Sequence, residues 1–443
     1  MMRFSTLTRR SFQFGLAGSL LSALLILGGC GGSGDTENGN YPDPVASITT
    51  TKTPNALIEA ATLKLWIDEG KVNNTDPAYL DRVVVVTVAT PAQYATQHVP
   101  GAQLLNSSNE LLMSRVEGVG SITSMVLDGP SIDNLVKKLG INSNTTIVFV
   151  ASKNQNALNA TRAYFTFRYW GFPRERLKVL NGGENAWENA AKAGGWSQAY
   201  ALTTAVPTVA ASTFSVRNLY VYSGSSAANF GLRASIGDML SVVDKINSGA
   251  LSVDATGVSI LDVRGGNPSV YMQNANVDDY AQYTLSGTGN TSTFKPVNEL
   301  VARLATFGVT SSKAMTYVYC ASGVRAASPF FVLDGILGWN VTMYDGSWNQ
   351  WSSYASTATA NKVGTAWQTD VNTASTTKSR TFGAIATAGT AVVIDPVSNA
   401  MYTSVTDARA NQILNEDRSY YSGGGSSTPS DGDGGGGGGP GGC

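Results

Sequence analysis

The feature that most constrains this chain is an internal repeat. Asn181-Gly-Gly-Glu-Asn-Ala-Trp187 and Asp345-Gly-Ser-Trp-Asn-Gln-Trp351 share Gly second, Asn fifth and Trp seventh. An Arg-Ala pair precedes each: Arg162-Ala163 lies 19 residues before Asn181, and Arg325-Ala326 lies 20 before Asp345. Two anchors recurring in one order argue for a duplicated unit rather than for unrelated segments. Aligned on both anchors, the loop between the second strand and its helix is about six residues longer in the first copy.

Within each copy, strand and helix patterns alternate. Thr53 as N-cap and Pro54 in the first turn predict a helix running through Leu57, Ala60, Ala61, Leu63, Leu65 and Ile67 to Gly70. The run from Val83 to Val86 predicts a parallel strand buried on both faces. A Leu135–Leu139 helix, an Ile147–Val150 strand, a Thr161–Trp170 helix and a Leu177–Leu180 strand complete the copy. In the second copy, Ser235 and Asp238 form a capping box ahead of the face Ile236, Leu240, Val243, Ile246. Strands are expected at Ser259–Val263, Met315–Tyr319 and Asn340–Tyr344, and helices at Val301–Phe307 and Ala326–Leu337. The fold class is therefore α/β, with two domains, each a parallel sheet flanked by helices. The first domain spans 56–196, a linker 197–230 and the second domain 231–356. Residues 357–421 are an extension with one apolar segment, Ala391–Ile394, and 422–443 are a Gly-rich tail too polar to order itself.

The N-terminus reads as an export signal. Basic Arg9-Arg10, an apolar stretch from Phe14 to Leu27 and Leu27-Gly-Gly-Cys30 make residues 1–29 a signal peptide. The last four residues resemble the bacterial lipobox, which implies a lipid on Cys30, a tether over residues 30–55 and a place in the cell envelope, on a periplasmic or outer face. Arg9-Arg10-Ser-Phe also resembles a twin-arginine signal. A net charge of −1 with 14% charged residues gives no basic field for nucleic acid. His98 is the only histidine, so no multi-histidine metal site can form and a Ser-His-Asp site would have to use it. Cys30, Cys320 and Cys443 are too few for a disulfide framework, which leaves Cys320 as a free thiol.

Sites in parallel sheets form at the carboxyl ends of strands. That rule selects Cys320-Ala321-Ser322-Gly323-Val324-Arg325, where a strand passes through a tight loop into a helix. Successive loop N–H groups can make an anion-binding nest, and such a setting favours a nucleophilic thiolate. Arg325 adds positive charge, and Arg264 after Asp262 supplies a second cation expected on the same rim. A free Cys is also often an inert buried one. Strand, Cys, small residues, Gly and Arg in that order favour the nucleophile.

On these residues the chain resembles the rhodanese, or thiosulfate and mercaptopyruvate sulfurtransferase, family in its tandem form. Cys320-Ala-Ser-Gly-Val-Arg325 is similar to the family's active-site loop, and Tyr344-Asp345-Gly346-Ser347-Trp348 to the segment after the last core strand. His98-Val-Pro-Gly-Ala102 is similar to its Gly-His-Ile-Pro-Gly-Ala signature, with Gln97 in place of the first Gly. The resemblance implies that Cys320 carries a persulfide cradled by Ala321, Ser322, Gly323 and Val324. It implies that Arg264 and Arg325 bind the donor, and that Asp262, Asp345, Ser347 and Trp348 support the site. The partners implied are a small sulfur donor, a thiol or cyanide acceptor and, in the envelope, other proteins, with no metal or organic cofactor. Ala151 aligns with the nucleophile in the first domain and Thr87-Val-Ala89 replaces Asp-x-Arg, so that domain is expected to be a scaffold, with His98 structural. Gly265-Gly-Asn-Pro-Ser stands where a second arginine is expected. A non-catalytic envelope binding protein with Cys320 as a remnant is the alternative. A Cys-based phosphatase needs one more residue between Cys and Arg than the four present.

Overall fold

The computed structural model describes residues 51–76, 79–117, 120–219, 230–247, 249–266, 268, 270–272, 274–355, 370–371 and 411–422. The predicted signal peptide, Cys30, most of the tether, the Ala391–Ile394 segment and the tail with Cys443 lie outside the described residues.

The first half contains β1 (Leu57–Ile58), α1 (Ala60–Asp68), β2 (Val83–Ala89), α2 (Pro91–Thr96), β3 (Gln103–Asn106), β4 (Met113–Glu117), β5 (Gly120–Met125), α3 (Gly129–Lys138), β6 (Thr146–Ala151), α4 (Leu158–Tyr169), β7 (Leu177–Leu180) and α5 (Gly183–Ala193). Five strands form a parallel sheet in the order β1-β7-β6-β2-β3. Every residue of β2 and β6 is buried. That is what their valine-rich sequences require once helices cover both faces. Helix α1 departs from the prediction. Its N-cap is Glu59, and Thr53 and Pro54 precede the short strand β1 instead of opening a helix. Lys178 explains the difference: its ammonium, buried in β7, binds the carbonyls of Thr53 and Asn55, each at 2.7 Å, and holds this stretch extended along the sheet edge.

The second half contains α6 (Ile236–Asn247), β8 (Val258–Asp262), β9 (Val270–Tyr271), β10 (Ala275–Val277), α7 (Val297–Thr306), β11 (Met315–Tyr319), α8 (Ala327–Phe331), β12 (Val341–Met343) and α9 (Ser347–Ala355), followed by β13 (Asp370–Val371) and α10 (Gln412–Tyr421). Its four-stranded sheet is parallel, in the order β10-β8-β11-β12. The Ser235 capping box forms as expected: Asp238 N–H donates to the Ser235 hydroxyl at 3.0 Å, and Ser235 N–H donates to the Asp238 carboxylate at 2.9 Å. Helix α8 passes into a π-helical stretch, Val332–Leu337.

The halves pack through α4 and α8. Phe165 meets Phe330 edge-on at 5.0 Å, and Tyr164 meets Phe331 at 4.8 Å. Asp334, in the π-helical stretch, accepts from the Tyr164 hydroxyl at 2.6 Å and from Arg168 Nε at 2.9 Å. One apolar cluster runs through both halves, from Phe149 and Phe165 to Leu261, Val318 and Phe330. Each fully buried side chain of that size contributes roughly 1.5–3 kcal/mol. The linker is not a free connection where it is described, since Phe214, Val216 and Leu219 are buried. Helix α10, whose residues the sequence left unplaced, buries Ile413 and Tyr421 and ties Asp417 to Arg115 of β4 at 2.7 and 2.8 Å.

Candidate active site

Strand register shows which positions of the two halves correspond. Asp262 pairs with Tyr319 between β8 and β11, and Thr87 pairs with Val150 between β2 and β6. The next residues are Cys320 and Ala151. The sequence alignment at these positions is therefore reproduced, with Thr87 where Asp262 stands. The longer first-copy loop is not. Ala151 to Leu158 and Cys320 to Ala327 span the same number of residues, so both helices start at equal distance from the strand. Aligning Arg162 with Arg325 created the false difference: Arg162 lies inside α4, whereas Arg325 lies in the loop before α8.

Cys320 follows β11 directly. Its N–H donates to the Ser347 hydroxyl at 3.2 Å, and its carbonyl accepts from Trp348 N–H at 3.0 Å. The Ala321 carbonyl accepts from Asn349 N–H at 3.0 Å. The first turn of α9 is thus hydrogen-bonded to the start of the Cys320 loop, which gives the second repeat anchor its job. Ser347 adopts a left-handed φ of 52° and donates its hydroxyl to the Tyr344 carbonyl at 2.8 Å. Gly323 has φ +82°, and a Cβ there would come within 2.7 Å of the Asp345 carbonyl oxygen and 3.0 Å of Arg162 Nη1, so both conformation and space demand glycine. Among the described residues, the amides from Ala321 to Ala326 donate to no protein acceptor. Unpaired consecutive amides are what an anion nest needs.

Cys320 is a free thiol, as expected, but it does not sit at an open mouth. It is 1% exposed and packs with the apolar core. Arg264 also departs from the expectation of a free rim cation. It forms an ion pair with Asp262, with Nη2 at 2.6 Å and Nε at 2.9 Å, and its guanidinium stacks over Trp348 at 4.2 Å. The fully buried Asp262 carboxylate also accepts from the Tyr319 hydroxyl at 2.9 Å. Burying a carboxylate is costly unless it is paired, and Arg264 is the cation two residues away that can reach it. Arg325 is exposed, donates to the Arg264 carbonyl at 2.8 Å and lies over Tyr280 at 5.4 Å. Among the described residues no carboxylate pairs with it, so it is the predicted arginine that keeps an uncompensated charge near the loop.

Asp345 is the centre of a buried ion network that sequence reading missed. It accepts from Arg233 Nε at 2.7 Å, Arg162 Nη2 at 3.4 Å and Val126 N–H at 3.1 Å. Arg233 in turn makes two contacts with Glu117, at 3.0 and 3.1 Å. All four charged side chains are fully buried. Burial pushes the Glu117 carboxyl up against the pull of Arg233, and burial holds the Arg162 guanidinium below its usual value. Two cations facing two anions leave the network neutral. Arg162 was visible only as a repeat anchor, and Arg233 and Glu117 carried no motif at all.

In the first half, the corresponding place is filled from within. Buried Glu184 accepts from Lys153 N–H at 2.9 Å and from the Thr87 hydroxyl at 3.3 Å. Burial pushes its carboxyl up to about 7. His98 is buried and stacks on Tyr94 with ring centroids 3.8 Å apart, and its two ring nitrogens face the carbonyls of Tyr94 and Ala205. Its place is structural: it fastens the linker to the first half. Among the described residues no group of three or more His, Cys, Asp or Glu could hold a metal ion.

Residues 61–190 match the family model of the rhodanese-like domain. A Haloferax volcanii protein provisionally named thiosulfate sulfurtransferase is 27% identical over 311 residues, covering 67% of this chain and 93% of that protein. The domain match and this relative support a rhodanese-like sulfurtransferase family for the chain. Other relatives are the sulfur carrier protein TtuD of Thermus thermophilus, 27% identical with 59% of this chain and 84% of the relative covered, and the thiosulfate sulfurtransferase of Corynebacterium glutamicum, 25% identical with 59% and 78% covered. Among solved structures, a persulfide form of EanB with ergothioneine has a TM-score of 0.51 at 17% identity, covering 72% of this chain and 71% of that one, a likeness of fold.

Proposed function

We propose that this rhodanese-like chain moves a sulfane sulfur from a donor such as thiosulfate or mercaptopyruvate to a thiophilic acceptor through a persulfide on Cys320. The observation that carries the reading is position: Cys320 stands one residue past the Asp262–Tyr319 register pair, at the head of six amides that have no acceptor among the described residues. With thiosulfate, the Cys320 thiolate attacks the outer sulfur. The sulfur–sulfur bond breaks and sulfite leaves with the electron pair, so the enzyme holds a persulfide anion. The amides of Ala321, Ser322, Gly323 and Val324 then have a negative sulfur to bind, and Arg325 draws the anionic donor. Cyanide or a thiol attacks the terminal sulfur, which departs with the acceptor and regenerates the Cys320 thiolate. Because Cys320 is 1% exposed, donor entry requires the loop or its neighbours to shift.

Thiocyanate formation from thiosulfate and cyanide tests this. Cys320→Ser should lower turnover at least about a thousandfold, since the serine hydroxyl is a far weaker nucleophile. Wild-type turnover of zero with several sulfane donors sinks the reading. The burial of Cys320 favours a second one, a non-catalytic binding protein of the envelope with envelope partners, and that result would select it. We also propose export and lipid anchoring through Cys30. Incorporation of labelled fatty acid, lost in Cys30→Ala, tests that separately.

A further inference from the structure

We propose that Arg162 of the first half is a positioning residue for the Cys320 loop, so that the half without a nucleophile completes the site of the half that has one. This rests on Cys320 as the sulfur carrier. Arg162 is fully buried in α4, and its guanidinium crosses to the other half. Nη1 donates to the Gly323 carbonyl at 3.2 Å, while Nη2 donates to the Ser124 carbonyl at 3.0 Å and to Asp345 at 3.4 Å. Gly323 is the middle of the loop. Its carbonyl and the Val324 N–H belong to one planar trans peptide and point in opposite directions. Holding the carbonyl towards Arg162 therefore fixes where the Val324 N–H points, and an amide held in place serves a sulfur anion better than one that must turn to meet it.

The contact is tight from both sides. A Cβ on Gly323 would lie 3.0 Å from Arg162 Nη1, so the glycine is what lets the loop settle onto the guanidinium. Asp345, a further partner of Arg162, starts the turn whose Ser347 and Trp348 bond Cys320 N–H and C=O. Arg162 thus ties together the two segments that frame the sulfur. It is also a fixed positive charge in water-poor surroundings, where charges act most strongly. The other charged groups nearby are paired Asp262 and Arg264, exposed Arg325, and the Arg233 that shares Asp345. A lysine could keep the charge but could not span Gly323, Ser124 and Asp345 with one planar fork.

The test uses the full chain and sulfur transfer from thiosulfate to cyanide. Arg162→Lys should lower kcat about tenfold or more with KM for thiosulfate within about twofold, and should move the pH profile of kcat. Arg115→Met, which breaks the Asp417 pair in the same buried region without touching the loop, should lose thermal stability and keep kcat. If Arg162→Lys loses stability as Arg115→Met does, with kcat within about twofold of wild type and an unmoved pH profile, the role is structural and the proposal falls. If the lysine variant does not fold, Arg162→Gln takes its place with the same readouts: kcat within about twofold of wild type and an unmoved pH profile overturns the proposal, and a loss of about tenfold or more at an unchanged KM supports it. Mass spectrometry of thiosulfate-treated wild type separates the two levels. No sulfur on Cys320 refutes the parent reading, whereas sulfur on Cys320 with unaffected Arg162 variants refutes only this one.

Discussion

The two strand-to-helix loops of this chain began from one plan and are now filled in opposite ways. Both follow a strand in the same register, and both reach their helix after the same number of residues. After Ala151, the Lys153 amide is capped by Glu184 and the Asn154 amide by Asn185 at 2.7 Å. After Cys320, the amides from Ala321 to Ala326 have no acceptor among the described residues. The lesson is that backbone geometry alone does not make a sulfur site. On the proposed function, an anion cradle needs a loop that no internal carboxylate has entered and that Arg162, Asp345 and Ser347 hold in place.

Several experiments can break or sharpen this contrast. The largest effect concerns moving the sulfur. Ala151→Cys in a Cys320→Ser background should remain at least about a thousandfold below wild type in thiocyanate formation, because Glu184 occupies the cradle. Recovery of turnover there would mean that the two loops are interchangeable. Next comes the ion network between the halves. Asp345→Ala leaves Arg162 and Arg233 short of a buried partner, and should cost about 3–5 kcal/mol in urea denaturation. A loss below about 1 kcal/mol would show that the network is solvated and does not weld the halves.

Glu184 gives a smaller effect with a defined sign. Its folded value, about 7, lies above the ordinary 4.5, so the folded state holds this proton more tightly. The stability it contributes is complete below the unfolded value and declines as pH rises towards 7. Glu184→Gln should remove about 2 kcal/mol of that decline, seen as a flatter stability profile between about pH 5 and about pH 8. An unchanged slope would place the burial penalty elsewhere. The smallest effect is expected at Lys138, whose pair with Glu110 is largely exposed. Lys138→Ala should change stability by less than about 1 kcal/mol, a baseline for the buried pairs.

Much of the fold was legible because apolar period and cap chemistry are local. The Val83–Val86 run reads as a buried strand, and Ser235 with Asp238 as a helix start, from neighbouring residues alone. The β1 edge was misread because Leu57 and Ile58 suit a helical face and a strand equally, and it is the distant Lys178 that holds the stretch extended. Arg162 was misjudged for a related reason. A helix expected from Thr161 puts the Arg-Ala pair at a helix start, as Arg325-Ala326 is, whereas α4 begins at Leu158 and carries Arg162 in its second turn.

The sequence by itself determined the duplicated α/β plan, the single sulfur at the end of β11 and the lack of one at Ala151, since these depend on residue identity and short-range pattern. Tertiary structure alone decided that Cys320 is buried, that Asp262 neutralises Arg264, that Glu184 closes the first cradle, and that Arg162, Arg233, Glu117 and Asp345 meet in one network. Those outcomes depend on which charges are brought together out of water, and the four-residue network joins residues more than a hundred positions apart, as Arg233 with Asp345 and with Glu117.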